Sequence, residues 1–231
     1  MADTPKQLAF DLAGAPAMGR DDFLVSPSNA AALAVIDRWP DWPGPVAVLA
    51  GPAGSGKTHL ASIWAAVAGA TVLPAPALTV ESVPGLVAGR AVVVEDAPGE
   101  ALEERALFHL FNLAREARAS VLLTSREEPA LWPVALPDLR SRLKAALVVR
   151  IEPPDDALLR AVLVKLFADR QLAVDEGAVG YLLARMHRSL GEARDLVAEI
   201  DSRALAERAE VSRAFLARVL AERGQDDLFG D

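Results

Sequence analysis

Cysteine is absent from the 231 residues, which excludes disulfides and thiolate metal sites and suits a reducing compartment. Histidine is scarce: His59, His109 and His187 are scattered and form no metal-ligand spacing. A long hydrophobic run is also missing. The longest, residues 60–73, is alanine-rich, contains Gly69, and is shorter than the about 20 apolar residues that a bilayer span needs. The opening MADTPKQLAF lacks the basic and apolar regions of a signal peptide, so the expectation is a soluble, cytoplasmic protein without membrane contact. Positive charge is in short supply: 24 Lys and Arg stand against 32 Asp and Glu, a net charge of −8. Broad DNA binding needs cations against phosphates, so that class is disfavoured and protein and nucleotide partners are favoured.

What the chain does have is core material. Hydrophobic residues make up 52% of it, and its length holds one large domain or a domain with a smaller companion. Residues 1–20 read as a polar arm punctuated by glycine and proline. Helical spacing over residues 30–39 is broken by the three prolines of WPDWPGP. Short apolar strands are expected at 46–50, 71–73, 91–94, 120–124 and 147–151. Helices at 58–68 and 100–118 alternate with them, and in the second Leu102, Ala106, Leu110 and Ala114 share one face. Apolar strands alternating with helices mean a parallel five-stranded α/β sheet covered on both faces.

After EPPDD, residues 152–156, only helical periodicity remains. Ser189 and Glu192 have capping-box spacing, and Ser212 can cap a last helix carrying Phe215, Leu216, Val219 and Leu220. The expected organisation is therefore an arm at 1–20, an α/β domain at 21–151, a small all-helical domain at 152–223 and a tail at 224–231. No internal repeat or low-complexity segment interrupts it.

The segment GPAGSGKTHL, residues 51–60, follows a strand and opens a helix. Gly51, Gly56, Lys57 and Thr58 occupy the defining places of the G-x-x-x-x-G-K-[ST] loop. Its glycines let backbone N–H groups from Gly54, Ser55, Gly56, Lys57 and Thr58 curl around a diphosphate at a helix N-terminus. Lys57 reaches the outer phosphates, and the Thr58 hydroxyl can ligate Mg²⁺. A second acidic element is expected at a neighbouring strand end, and AVVVEDA supplies Glu95 and Asp96. Carboxylates there can hold magnesium through water and orient an attacking water. Acids that merely terminate a strand are the alternative.

Loop, acidic strand end, polar strand end and helical lid together resemble the AAA+ ATPases. Within them, DDFLVSPSNAAALAVI (21–36) resembles the adenine-side segment of the replication initiator DnaA, and LPDLRSRL (136–143) its arginine-finger box. IEPPDDALLRAVL (151–163) resembles the start of its lid, and SLGEARDLVAEID (189–201) its sensor 2 helix. The resemblance runs from residue 21 to about 223 and implies ADP or ATP held by Leu24, Val25, Gly51, Gly54, Ser55, Gly56, Lys57, Thr58, His59 and Arg194. It implies Mg²⁺ at Thr58 and Glu95, a sensor 1 group at Ser125 with Thr124 as the rival, and a finger at Arg142. A solvated basic face shared with Arg140 and Lys144 is the alternative for Arg142, and a simple ion pair for Arg194.

DnaA continues into a DNA-binding domain where this chain stops. Near its start the chain carries KQLAFDLAG, residues 6–14, in which Gln7, Leu8, Phe10 and Leu12 form a Gln-Leu-x-Φ-x-Leu peptide. That combination resembles the Hda family of regulatory inactivators of DnaA, whose amino-terminal peptide docks on the β sliding clamp. The resemblance implies a negative regulator of replication initiation that binds clamp and nucleotide and stimulates hydrolysis of DnaA-bound ATP, touching DNA only through the clamp. An arm packing on its own domain is the alternative for the peptide, and Gln225, Leu228 and Phe229 form a second clamp-like pattern. One departure bears on catalysis. DnaA-type ATPases carry aspartate where Glu95 stands, and many AAA+ proteins carry glutamate where Asp96 stands, so weak intrinsic hydrolysis and a retained ADP are implied. A DnaC-like helicase loader or another DnaA-related ATPase is the rival reading.

Overall fold

The computed structural model describes residues 18–99 and 102–229, with 224–229 described by backbone alone. Gln7, Leu8, Phe10 and Leu12 therefore lie outside the described residues. Five strands form one sheet: β1 (Val46–Ala50), β2 (Thr71–Pro74), β3 (Ala91–Ala97), β4 (Ser120–Ser125) and β5 (Leu147–Arg150). Their order is β2-β3-β4-β1-β5, and every neighbouring pair is parallel. The expected fold class holds.

The three middle strands are apolar because both of their faces are covered. All five residues of β1 are buried, as are Ala91 to Val94 of β3. The edge strands β2 and β5 keep exposed positions, including Val72 and Val148. On one face α1 (Ala30–Asp37) and α2 (Lys57–Ala68) bury Leu33, Ile36, Leu60 and Trp64 against Leu49, Val93 and Leu122. On the other, α3 (Val83–Ala88), α4 (Glu104–Ala117) and α5 (Pro137–Ala145) bury Val87, Leu107, Phe111 and Leu139 against Val48, Val94 and Leu123. Residues two apart on β1 thus serve one core and their neighbour the other, as the period of a strand requires. Helix α3 had no periodic signal, because six residues with Pro84 and Gly85 inside them show too little repeat.

Beyond β5 the chain is helical: α6 (Asp156–Asp169), α7 (Glu176–Leu183), α8 (Leu190–Glu207) and α9 (Arg213–Phe229). These share a third core, with Leu163, Phe167, Leu182, Leu196, Ile200 and Leu216 at its centre. Each start is capped. Asp155, Asp175, Ser189 and Ser212 accept hydrogen bonds from the N–H groups of Leu158, Ala178, Glu192 and Phe215 at 2.7, 2.6, 3.3 and 3.2 Å. Only half of the capping box at Ser189 forms. The Glu192 carboxylate turns to Arg223 instead, 3.2 Å away, and ties α8 to α9. Helix α9 also runs past residue 223, so Gln225, Leu228 and Phe229 are helical backbone rather than a tail.

Candidate functional site

The site is built where β1 ends. In its register with β4, Ala50 pairs with Ser125, and the Gly51 N–H donates to the Ser125 carbonyl at 3.1 Å. A Cβ on Gly51 would stand 2.5 Å from the Ile151 carbonyl oxygen, so glycine alone fits between β1 and β5. Gly54 and Gly56 turn the loop at φ of 68° and 100°, left-handed values that glycine adopts without strain. The helix α2 then starts at Lys57, with its first N–H groups aimed into the loop. Lys57 is buried, and its Nζ donates to the carbonyls of Gly51 and Pro52, both at 2.8 Å. Burial pushes its pKa below the ordinary lysine value, Asp96 and Glu95 oppose that, and the charge of Arg126 adds to it. The buried Ser55 hydroxyl has no hydrogen-bond partner among the described residues.

The acids arrive from β3. Thr58 Oγ1 donates to Glu95 Oε2 at 3.4 Å, which joins the loop to the acidic strand end. Burial, then the neighbouring Asp96, raises the Glu95 pKa, while Thr58 and Lys57 lower it. The strand is irregular here: its register with β4 shifts between Val94 and Ala97, and Asp96 sits at φ 56°. A non-glycine residue in that region costs on the order of 1 kcal/mol and such residues cluster at functional sites. The Asp96 N–H is held there by Thr124 Oγ1 at 2.9 Å. Hydroxyl, carboxylates and loop amides are all oxygen or N–H groups of the kind that Mg²⁺ and phosphates take, so the residues present fit a magnesium nucleotide.

Ser125, at the end of β4, is fully buried and bonded within its own strand end. Its Oγ donates to the Glu127 carbonyl at 2.6 Å and accepts from the Trp132 indole at 3.2 Å. Around the loop's far side, His59 Nε2 lies 3.0 Å from the Gly19 carbonyl, and the ring stands edge-on to Phe23 with centroids 5.2 Å apart. A carbonyl only accepts, so this nitrogen carries the proton. Burial lowers the His59 pKa, and the nearby charge of Arg194 works in the same direction. Leu24 is fixed through its carbonyl by buried Asn29 at 2.9 Å, while Val25 is 56% exposed beside it. Arg194, on α8, is half-buried and makes no ion pair among the described residues.

A contact between the helical part and the loop carried no local sequence signal. The Leu190 N–H, at the start of α8, donates to the Gly54 carbonyl at 2.8 Å. A Cβ on Gly54 would stand 1.8 Å from Ser189 Oγ and 2.8 Å from Ser189 Cβ. Gly54→Ala is therefore expected to lower stability by about 1–3 kcal/mol, from the positive φ and the lost seat together. Thermal unfolding checks this, and an unchanged Tm would mean that α8 does not rest on the loop in solution.

Arg142 sits elsewhere. Its guanidinium lies 5.4 Å from the centroid of the Phe108 ring. It lines a groove of about 730 Å³ with Pro45, Val46, Phe111, Arg115 and Asp138. Val46 begins β1 and the glycine loop follows the other end of that strand, about 15 Å farther along at about 3.3 Å per strand residue. The helix that carries it is anchored by Glu104, whose two carboxylate oxygens accept from the N–H groups of Ala135 and Leu136 at 2.8 and 2.9 Å. No motif marks Glu104, since its partners are 31 and 32 residues away.

No family model matches the chain. The chromosomal replication initiator protein DnaA of Thermomicrobium roseum is 24% identical over 201 residues, which covers 74% of this chain and 42% of that protein. The chain spans less than half the length of the curated relatives it matches. Domain III of the Thermotoga maritima replication initiation protein DnaA superposes with a TM-score of 0.76 at 19% identity, covering 90% of this chain and 97% of the domain. AMPPCP-bound DnaA from Aquifex aeolicus superposes with a TM-score of 0.67 at 20% identity, covering 92% and 71%. The chain thus shares the fold of DnaA domain III, together with a sequence similarity to DnaA proteins that spans less than half of their length.

Proposed function

We propose that this chain binds an adenine nucleotide, ADP in its resting form, and acts as a negative regulator of replication initiation that stimulates hydrolysis of ATP bound to DnaA. The observation that carries the reading is the separation of Arg142 from its own glycine loop. An arginine beside the opposite end of β1 from its own glycine loop, held on a helix anchored by Glu104, suits delivery to a neighbouring molecule's nucleotide. Gly51 to Thr58 hold the diphosphate, Lys57 exchanges its loop carbonyls for phosphate oxygens, and Leu24, Val25, His59 and Arg194 border the base and lid side. Thr58 and Glu95 hold Mg²⁺, which neutralises phosphate charge when bound. The displaced carboxylates of Glu95 and Asp96 make intrinsic hydrolysis slow.

The test is DnaA-ATP hydrolysis measured with this protein, with and without β clamp loaded on DNA. Stimulation that needs the clamp is expected. Brisk ATP turnover by the protein alone would favour a DnaC-like or other DnaA-related motor. Clamp capture should depend on the amino-terminal peptide: Gln7→Ala, or removal of residues 1–12, is expected to eliminate most of it, because Leu8, Phe10 and Leu12 are its apolar anchors. Truncation after Arg223 is expected to weaken capture little, since Gln225 to Phe229 continue a helix. Clamp pull-down with both truncations decides, and loss only with the second would assign clamp binding to the other end.

A further inference from the structure

We infer that the ion pair between Asp22 and Lys165 is a latch that sets how long this chain keeps its nucleotide. The inference rests on the nucleotide site proposed above and concerns its regulation. Among the described residues, hydrogen bonds and ion pairs join helices α6 to α9 to the α/β part at only two points. One is neutral, the Leu190 N–H on the Gly54 carbonyl. The other is ionic. Lys165 Nζ, on α6, lies 2.9 Å from Asp22 Oδ1, and the two side chains are only 30% and 27% exposed.

Asp22 stands in a short segment pinned to the α/β part three times. The Gly19 carbonyl accepts from His59 on α2, Arg20 pairs with Asp37 of α1 at 3.0 Å, and Phe23 is buried in the core with Leu60. Leu24 and Val25, on the base side of the proposed site, follow directly. On the other side, α6 places Leu163 and Phe167 in one core with Leu196 and Ile200 of α8. That helix starts on Gly54 and carries Arg194. The pair therefore closes a ring that runs from the glycine loop through α8 and α6 to Asp22, and back through α2. A nucleotide held inside it, between Leu24, Val25 and His59 on one side and Arg194 on the other, leaves when the ring opens. Opening breaks the pair.

The Lys165 ammonium holds the Asp22 carboxyl below the usual carboxylate range, and Asp22, then Asp169, hold Lys165 above the ordinary lysine value. Both groups therefore stay charged across the neutral range. Lys165 also reaches Asp169 at 3.0 Å within α6. Loss of Asp22 thus leaves the ammonium a partner on its own helix and removes only the link between the two parts. Salt screens this link and acts little on the neutral bond at Gly54.

The experiment follows release of radiolabelled ADP from the full chain, chased with excess unlabelled ADP, at low and high salt. Asp22→Asn and Lys165→Gln are each expected to speed release about two- to fivefold, the scale of one partly exposed ion pair. The association rate should change less, because the latch closes after the nucleotide has entered. The double variant should release no faster than either single one, since both remove the same bond. Lys165→Arg, which keeps the charge, should release ADP like the parent, and so should Asp169→Asn. Raising the salt should speed release from the parent more steeply than from the Asp22→Asn protein. Equal release by the parent and Asp22→Asn overturns the inference, as do single effects that add in the double variant. A parent that holds no ADP overturns the nucleotide reading with it, so the two failures are told apart by the parent itself.

Discussion

Arg142→Ala is expected to reduce stimulation of DnaA-ATP hydrolysis by about a thousandfold or more, the scale of an arginine finger given in trans. The effect is large because a guanidinium at the transferred phosphate stabilises charge that exists fully only in the transition state. The fold should not notice the change. In the free protein Arg142 contributes one cation–π contact with Phe108, about 0.5–1 kcal/mol at a half-exposed site. Nucleotide binding should survive, since the groove lies at the other end of β1 from the glycine loop. Arg142→Lys should recover little, because a point charge lacks the bidentate fork. Single-turnover hydrolysis of DnaA-bound ATP is the measurement. A variant that still stimulates would make Arg142 a surface cation shared with Lys144.

Lys57→Ala is expected to weaken ADP and ATP binding by roughly a hundredfold, the loss of a charge-assisted contact to each of two phosphate oxygens. Its effect without nucleotide has the opposite sign. Burial lowers the Lys57 pKa from 10.5, so the folded state gives up this proton more readily than the unfolded chain. Below that pH the buried ammonium therefore costs stability, and the bonds to Gly51 and Pro52 offset only part of the cost. The variant should unfold at the same or a slightly higher temperature than the nucleotide-free parent, and saturating ADP should stabilise the parent alone. Equal calorimetric binding by both proteins would refute the role of Lys57.

Much of the fold was legible because its signals are local. Strand β1 falls on residues 46–50 as the apolar run requires, and β4 and α2 start within one residue of expectation. Helix α4 starts at Glu104 rather than at residue 100, yet its buried Ala106, Leu110 and Ala114 are the face that periodicity marked. What escaped was short or distant. The six residues of α3 show too little repeat, and the end of α9 depends on packing against α8 through Arg223. Neither shortness nor a contact 24 to 31 residues away leaves a pattern in a window of ten.

The site divides along the same line. The spacing of Gly51, Gly56, Lys57 and Thr58 determined the loop by itself, because each residue's role there follows from its own backbone freedom or side-chain charge. The acids of β3 were legible for the same reason. Only the tertiary structure decided how the groups at the end of β4 are bonded, since Thr124 and Ser125 are hydroxyls of the same kind on paper. Packing set Thr124 to hold the Asp96 N–H, buried Ser125 against Trp132 and left Arg126 exposed. It also seated Leu190 on Gly54 and anchored the Arg142 helix through Glu104, contacts between residues 136 and 31 positions apart. Residue type sets what a group can do, but which way a side chain turns at a strand end depends on the free energy of its neighbours' unpaired bonds, and those neighbours are chosen by the fold.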